Sequence, residues 1–273
     1  MAKKIAILGL GWLGLPLAKT LFDKGYEISG STTRSEKLMR LLQSRFSIRI
    51  IKITKNNVEG NWKKLLTDVD YLILNIPPGR KNNPLENYPL MVEQIVQRCS
   101  PDLKVIFVSS TSVYGENGGG IVDENTDPNP ESDSGKAMLE AEAIVKNYFG
   151  ANATVLRFAG LFGQDRHPGR FLGPDKPLKN PNGRINLIHL NDCISLIEKI
   201  LEKDVFGDTI NGCADEHPIR SDFYKKAAFD LSLDGPIYND SAPAEGKVVS
   251  NEKSKALLGI EYQFSDPTGF FES

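Results

Sequence analysis

The sequence predicts an α/β protein built on a doubly wound parallel sheet, and three observations support that fold class. Strand-like and helix-like segments alternate steadily through the first half of the chain, as in a parallel sheet covered by helices. The run YLILNI, at residues 71–76, is almost continuously apolar, which is typical of a strand buried on both faces. A glycine-rich turn, GLGWLG, connects the first strand directly to the first helix.

The glycine-rich turn follows a short apolar strand at residues 4–8. Gly9, Gly11 and Gly14 have the G-x-G-x-x-G spacing of a dinucleotide-binding turn. Gly9 permits the tight turn, Gly11 lets a pyrophosphate approach the backbone, and Gly14 lets the helix pack closely on the strand. The helix N-terminus offers free N–H groups and a positive dipole end to phosphate. The turn therefore predicts a Rossmann-like NAD(P)-binding site; a glycine turn without a ligand is the alternative.

The segment around the end of the second strand, predicted at residues 26–31, indicates which dinucleotide binds. NAD sites place an acidic residue about 20 positions past the glycines, where it accepts hydrogen bonds from the ribose 2′-hydroxyl. Here the sequence SGSTTR contains no acid, and the first one is Glu36. Small hydroxyls followed by an arginine suit a 2′-phosphate, so the sequence favours NADP over NAD, with contacts from Ser31, Thr32 and Arg34. The alternative is that residues 33–37 only cap the next helix, predicted at residues 35–43.

Further cofactor contacts are expected at the carboxyl end of the strand at residues 71–76, where ligands of doubly wound sheets bind. The prolines of NIPPG stop that strand and open a loop there. The cofactor contacts predicted from these residues are Gly9, Gly11, Trp12, Leu13, Gly14, Ser31, Thr32, Arg34, Asn75, Ile76 and Pro77.

The alternation of strands and helices is interrupted by a loop at residues 115–130, which is rich in Gly, Asn, Asp and Pro. A loop of that length in a compact domain usually belongs to a functional site. Residues 160–183 are again rich in loop-forming residues. Strands are predicted at residues 47–54, 104–109, 154–159, 185–189 and 208–213, and helices at residues 35–43, 85–99, 133–148 and 192–203.

The composition is that of an ordinary soluble globular protein, with 40% hydrophobic and 25% charged residues and a net charge of −2. The sequence has no block of like charges and no apolar stretch near the ~20 residues of a membrane span, so neither nucleic acid nor a membrane is expected as a partner. The three cysteines, Cys99, Cys193 and Cys213, are scattered and lack a metal-binding pattern. They are expected to be reduced thiols, which fits a cytoplasmic protein without a bound metal.

Several motifs occur in a fixed order along nearly the whole chain. GLGWLG is followed by VSSTSVYG at residues 108–115, SGKAMLEAE at 134–142, LRFAGLFG at 156–163, INLIHLND at 185–192 and SNEKSKALLG at 250–259. In this set the chain resembles the extended short-chain dehydrogenase/reductase superfamily, which includes the NAD-dependent epimerases and dehydratases of nucleotide sugars. The resemblance implies a dinucleotide at the carboxyl edge of the sheet and a small-molecule substrate between the sheet and a C-terminal lobe.

The expected architecture is a Rossmann-like doubly wound parallel sheet with a small C-terminal substrate lobe. Residues 1–159 are expected to form the NAD(P)-binding domain, to which residues 185–213 return, and residues 160–184 and 214–273 the lobe. The resemblance also implies a homodimer that packs through the helices at residues 85–99 and 133–148. The apolar residues that would supply this contact are Met91, Val92, Ile95, Met138 and Ile144.

The resemblance implies a catalytic set of Ser, Tyr and Lys, in which Tyr and Lys are four residues apart on one helix face. In this chain Ser110 takes the Ser position, Lys136 takes the Lys position, and Ser132 stands where the Tyr belongs. None of the eight tyrosines has a lysine four residues later. The chain is therefore predicted to be an atypical member that lacks the catalytic Tyr, with Lys136 still holding the cofactor ribose. The alternative for Lys136 is an exposed helix lysine paired with Glu140.

Other residues are candidates for the missing acid and for substrate binding. Tyr114, just past the strand that ends near Ser110, is the best surrogate acid; its alternative role is a packed aromatic that supports the loop. The predicted substrate contacts are Ser110, Thr111, His167 and Arg170. A solvated loop histidine and an exposed arginine are the alternatives for the last two.

Two functions follow from these observations. The first is an atypical NADP-dependent oxidoreductase that acts on a small carbonyl, hydroxyl or sugar-like substrate, using Ser110 to orient it and a non-standard acid. The second is a non-catalytic NADP-binding sensor or interaction module, because the proton-moving group is missing at Ser132. Gly160 stands where sugar-nucleotide epimerases of the family often have Asn, which argues against a nucleotide-sugar substrate. The 6-phosphogluconate-dehydrogenase-like reductases have a similar first turn, but their helical C-terminal half does not match the proline-rich one here.

Overall fold

A parallel sheet lies at the centre of the protein and confirms the predicted fold class. The computed structural model describes residues 2–36, 45–78, 85–163, 165–171, 177–238 and 246–272. The strands within this part of the chain are β1 (Lys4–Leu8), β2 (Glu27–Thr32), β3 (Ser47–Ile53), β4 (Val58–Gly60), β5 (Tyr71–Leu74), β6 (Lys104–Ser110), β7 (Ile121–Val122), β8 (Ala153–Phe158), β9 (Gly160–Phe162), β10 (Leu187–His189), β11 (Thr209–Gly212) and β12 (Val248–Val249).

Eight of these strands form the main sheet, in the order β11-β8-β6-β5-β1-β2-β3-β4. Every neighbouring pair is parallel except β3 and the edge strand β4, which are antiparallel. From β1 the chain fills one side of the sheet with β2 and β3, and it then crosses to the other side with β5. The strand order therefore reverses between β1 and β5, and the crevice at their carboxyl ends is where doubly wound sheets bind ligands.

Helices connect the strands and cover the sheet. In the described chain they are α1 (Gly14–Asp23), α2 (Trp62–Leu65), α3 (Tyr88–Val96), α4 (Asp133–Phe149), α5 (Leu190–Lys203), α6 (Arg220–Asp230) and α7 (Glu252–Leu258). Short 3₁₀ turns occur at Leu85–Asn87, Thr111–Tyr114, Asn117–Gly119, Gly150–Asn152, Pro168–Phe171 and Pro267–Glu272.

The structure adds short elements that were not predicted, among them β7, β9 and β12, and it divides one predicted helix. β4 and α2 were not predicted, because both are short and β4 (VEG) contains a single apolar residue. The segment predicted as one helix over residues 85–99 is a 3₁₀ turn followed by α3, with Pro89 in the first turn, where its missing N–H costs nothing. Most of the helix predicted at residues 35–43 lies outside the described residues. The other predicted elements are correct to within two residues at each end.

The helices of the predicted dimer contact, α3 and α4, pack against each other within one chain. Met91, Val92, Ile95 and Met138 are buried there, and Ile144 is partly buried against the same core. These side chains therefore belong to the interior of the monomer and do not form an exposed apolar face. The homodimer stays a prediction, without the apolar residues that were expected to supply it.

Two small parallel pairs, β9 with β10 and β7 with β12, lie outside the main sheet. The pair β7 and β12 joins the long loop at residues 115–130 to the C-terminal segment. A second apolar cluster is formed by Phe162, Ile185, Leu187 and Phe223. Phe162 and Phe223 belong to the predicted lobe, whereas Ile185 and Leu187 belong to residues 185–213, so the cluster crosses the predicted boundary. The boundaries of the lobe stay a prediction.

A buried ion pair connects α4 to the sheet. Glu142 accepts hydrogen bonds from Arg157 Nε at 3.0 Å and Nη2 at 2.7 Å, and also from the Ser109 hydroxyl. Both charged side chains are almost completely buried. The Arg157 guanidinium also lies 4.8 Å from the centre of the Tyr114 ring. Removing one partner of such a pair leaves an uncompensated charge in the core.

We expect Glu142→Ala to lower the free energy of unfolding by about 3–5 kcal/mol, because it leaves the Arg157 guanidinium buried and unpaired. Urea unfolding followed by circular dichroism measures this change. Glu140→Ala is the matched control, since Glu140 is exposed on the same helix. Equal unfolding midpoints for the two variants would show that the pair does not stabilise the fold.

Candidate cofactor and substrate site

The turn after β1 is held from both sides by side chains of the neighbouring strand ends. Gly9 N–H donates to Ser31 Oγ at 3.1 Å, and Asn75 Nδ2 donates to Gly9 O at 3.1 Å. Gly9 has φ = 107°, which favours glycine, and a Cβ there would lie 2.3 Å from Asn75 O. The turn is therefore fixed between β2 and β5.

The three glycines have different surroundings. A Cβ on Gly14 would lie 2.1 Å from Gly9 O, so Gly14 allows the close contact between helix and turn. A Cβ on Gly11 would meet nothing within 4 Å, so that side of the turn is open. α1 starts beside it without a side-chain cap and without an acidic residue in its first turn. An open glycine next to uncapped N–H groups is the arrangement that accommodates a pyrophosphate.

A cleft of about 760 Å³ opens at this point. It brings together nine of the predicted cofactor contacts, which are Gly9, Gly11, Trp12, Ser31, Thr32, Arg34, Asn75, Ile76 and Pro77. The predicted contacts Leu13 and Gly14 are buried and do not line it. Its remaining lining residues are Leu8, Leu10, Thr33, Ile51, Lys52, Ile53 and Met91. The residues present fit an extended dinucleotide, since the lining combines apolar side chains with hydroxyl groups and two cationic side chains, Arg34 and Lys52.

Ser31 and Thr32 have local structural roles. Ser31 is 2% exposed and its hydroxyl oxygen accepts the Gly9 N–H, so it holds the turn in addition to lining the cleft. Thr32 Oγ1 accepts the Arg34 N–H at 3.4 Å. The backbone at the end of β2 is thereby fixed, and the exposed Arg34 side chain lines the cleft.

A second cleft of about 400 Å³ adjoins the first and is lined by Thr33, Arg34, Ser35, Glu36, Ile50 and Lys52. Lys52, at the end of β3, lines both clefts, and it was not singled out from the sequence. The only signal for it is the strand register, because β2 and β3 are parallel neighbours with Thr32 opposite Ile50.

The residues at the family's catalytic positions lie at the end of β6 and the start of α4. Ser110 Oγ accepts the Ser112 N–H at 3.1 Å at the first turn after β6. Ser132 is the N-cap of α4, and its Oγ accepts the Gly135 N–H at 3.1 Å. Lys136 is exposed one turn further along, and no ion pair joins it to Glu140 in the described chain. The exposure of Lys136 agrees with the alternative predicted for it, whereas the ion pair with Glu140 is absent from the described residues.

Tyr114 is buried on the inner side of the 3₁₀ turn Thr111–Tyr114. It is 1% exposed, and its hydroxyl donates to Asn211 Oδ1 at 2.9 Å. Burial raises the pKa of the phenol, although Arg157 opposes the shift. This position fits the packed aromatic better than the surrogate acid. Thr111, at the start of the same turn, is also buried.

His167 is buried, which neither the predicted substrate contact nor the solvated alternative anticipated. Its Nδ1 accepts the Gly169 N–H at 3.1 Å, so in the neutral ring Nε2 carries the hydrogen and donates to Asp230 Oδ2 at 3.0 Å. The ring also packs near Phe270 and Phe271. Both ring nitrogens thus hold the lobe together. Arg170 is exposed in the 3₁₀ turn Pro168–Phe171, as its alternative described.

The lobe also contacts the long loop directly. The Lys247 ammonium donates to the carbonyl oxygen of Gly115, and burial lowers the pKa of this lysine. Asn186 donates to Lys247 O at 2.8 Å and accepts from Val249 N at 2.8 Å. The first contact holds the segment before β12 against the loop at residues 115–130, and the two bonds of Asn186 hold it against the start of β10. Sequence reasoning did not identify these contacts.

The described residues contain no group of three or more His, Cys, Asp or Glu residues that could hold a metal ion. No helix among them is long and apolar enough to cross a membrane.

Comparison with known proteins agrees with this geometry. The model of the NAD dependent epimerase/dehydratase family matches residues 5–211, and the chain belongs to this family. The chain is 35% identical over 269 residues to Protein YeeZ of Escherichia coli (strain K12), with 97% of each chain covered.

Solved structures share the fold at lower identity. A functionally unknown conserved protein from Silicibacter pomeroyi has a TM-score of 0.79 and 23% identity, covering 99% of this chain and 97% of that one. UDP-glucuronic acid 4-epimerase from Bacillus cereus in complex with NAD has a TM-score of 0.76 and 21% identity, covering 98% of both chains. dTDP-glucose 4,6-dehydratase from Bacillus anthracis, also in complex with NAD, has a TM-score of 0.78 and 17% identity, covering 99% and 95%.

We expect Gly9→Ala to lower the stability of the fold and Gly11→Ala to weaken nucleotide binding. Gly9→Ala should lower the free energy of unfolding by at least about 2 kcal/mol, since it combines a positive φ with a clash against Asn75 O. Gly11→Ala should change it by less than about 0.5 kcal/mol, because its Cβ meets open space. The same methyl group should weaken NADPH and NADH binding at least about tenfold. Urea unfolding and nucleotide titration of both variants measure these effects; full nucleotide binding by Gly11→Ala would contradict the pyrophosphate position.

Proposed function

We propose that the protein is an atypical NADP-dependent oxidoreductase of the epimerase/dehydratase family, acting on a small carbonyl, hydroxyl or sugar-like substrate. The observation that carries the proposal is the composition of the cofactor cleft at the end of β2. Arg34 lines the cleft there, and none of the described lining residues is acidic.

The charge at this end of the cleft distinguishes the two dinucleotides. NAD sites use a carboxylate at the end of the second strand to bind the ribose 2′-hydroxyl, and a carboxylate would repel a 2′-phosphate. Here Thr32, Thr33 and Arg34 occupy that region, and the first acid, Glu36, lines only the second cleft. The structures of the Bacillus cereus epimerase and the Bacillus anthracis dehydratase hold NAD. A preference for NADP would therefore separate this chain from those two proteins.

The residues beyond the cofactor cleft support a redox reaction with a weakened proton transfer. The nicotinamide, when bound, supplies or accepts a hydride. Ser110 would orient the substrate oxygen, and Lys136, whose ammonium is exposed, would hold the nicotinamide ribose. Ser132 cannot replace a lysine-activated phenol, since its hydroxyl is a much weaker acid and is used to cap α4. Positioned acid–base groups are commonly worth ~10²–10⁴ in rate, so turnover by the family's usual route should be slow.

A non-catalytic NADP-binding sensor or interaction module is the second candidate. The same observation at Ser132 favours it, because a residue that caps a helix leaves the proton-transfer position empty. Both candidates require NADP binding, and only turnover separates them.

We expect the wild-type protein to bind NADPH more tightly than NADH, and Arg34→Ala to weaken NADPH binding about 10- to 100-fold through the loss of a charge-assisted hydrogen bond. Titration followed by nucleotide fluorescence measures both constants. Arg98→Ala is the matched control, since Arg98 is exposed just after α3 and bonds Gln94 of that helix. If the folded wild-type protein binds neither nucleotide, both candidate functions are wrong.

Returning the missing tyrosine tests whether the rest of the active site is intact. Ser132→Tyr places a phenol four residues before Lys136, and we expect it to raise NADPH consumption about 10²-fold or more with a responsive carbonyl compound. Loss of the N-cap should destabilise the variant by about 1 kcal/mol. The assay follows NADPH consumption across a panel of small aldehydes, ketones and 2-oxo acids.

Ser134→Tyr is the control for this gain, since it lies in the same helical turn but has Met138, not a lysine, four residues later. NADPH consumption by the wild type supports the oxidoreductase. Tight NADPH binding with no consumption by the wild type or by Ser132→Tyr would favour the sensor.

A further inference from the structure

Two neighbouring strand ends bring two cations to the same edge of the cofactor cleft. β2 and β3 run in parallel, and Thr32 pairs with Ile50. Arg34 and Lys52 each stand two residues further along. Both line the cofactor cleft and also the second cleft of about 400 Å³ that adjoins it. Arg34 follows β2 and Lys52 lies in β3, and each contributes a positively charged side chain to both clefts.

The positive charge at this edge is not neutralised by the described part of the protein. Neither Arg34 nor Lys52 forms an ion pair with a described residue, and both side chains are exposed. Glu36 is the one carboxylate among the residues that line the second cleft, and the cofactor cleft has none. Two cations against one acid leave a net positive site, which an anion between them would stabilise.

We propose that Lys52 is a specificity-determining residue that binds the 2′-phosphate of NADP together with Arg34. This role rests on the NADP-binding function proposed above. A phosphomonoester carries about −1.5 to −2 charges at pH 7 and presents three acceptor oxygens, which is enough to bond two cationic side chains at once. Arg34 offers a planar fork of N–H donors, and Lys52 adds a point charge from the adjacent strand.

The chain provides a matched control for Lys52. Lys55 lies three residues further on and is also exposed, but it lines neither cleft. Removing the Lys55 charge changes the net charge of the protein by the same amount. A general electrostatic effect on a negatively charged nucleotide would therefore appear equally in both variants, whereas a specific contact appears only at Lys52.

The experiment measures dissociation constants for NADPH and NADH in the full-length protein by nucleotide fluorescence. We expect Lys52→Ala to weaken NADPH binding about tenfold and NADH binding less than about twofold. Lys52→Arg should retain most of the NADPH affinity, since it keeps the charge. Lys55→Ala should bind both nucleotides as the wild type does. Retained NADH binding by Lys52→Ala shows that the variant is folded.

The outcomes separate this proposal from the proposed function. If Arg34→Ala abolishes the NADPH preference but Lys52→Ala leaves it intact, or weakens NADPH and NADH equally, the role of Lys52 is overturned and NADP binding stands. If the folded wild-type protein binds neither nucleotide, or binds NADPH no better than NADH, both the NADP preference and the role of Lys52 are wrong.

Discussion

The pair of hydrogen bonds on Gly9 is the contact on which the rest of the site depends. Ser31 accepts its N–H and Asn75 donates to its carbonyl, so the carboxyl ends of β2, β1 and β5 are joined at one residue. The strand order reverses between β1 and β5, which leaves a crevice at that edge. Because the turn is fixed there, Gly11 and the uncapped start of α1 face open space in a defined position. A dinucleotide site follows from this arrangement with little further side-chain chemistry.

Under the proposed function, Ser132 occupies the position at which a tyrosine would move the proton, and in the structure it caps α4. The N-cap of α4 needs a small side chain whose oxygen reaches a free N–H, and serine meets that need at 3.1 Å from Gly135 N. A tyrosine at this position would give up the cap in exchange for an acid beside Lys136. Capping of α4 favours a serine at position 132, whereas proton transfer requires a tyrosine there. This chain has the serine that caps the helix.

Contacts between distant segments join the long loop at residues 115–130 to the C-terminal part of the chain. Lys247 binds the Gly115 carbonyl, β7 pairs with β12, and His167 connects its own loop to Asp230. The proposed function leaves these contacts in place, since Ser110 and the residues proposed to bind the cofactor do not take part in them. His167 is buried, and both of its ring nitrogens are bonded within the protein, to Gly169 and Asp230.

Features that depend on local spacing could be predicted from the order of the amino acids alone. The glycine turn, the buried parallel strands and the serine four residues before Lys136 are properties of short segments, and the family membership predicted from ordered motifs is shown by the comparison. Tertiary structure decided what depends on neighbours far along the chain. The buried Tyr114 hydroxyl donates to Asn211, which is 97 residues away in the sequence. The buried His167 ring is bonded to Asp230, which is 63 residues away. Lys52 and Arg34 reach the same edge because β2 and β3 pair in parallel with Thr32 opposite Ile50, and that pairing joins two segments that are separate in the sequence.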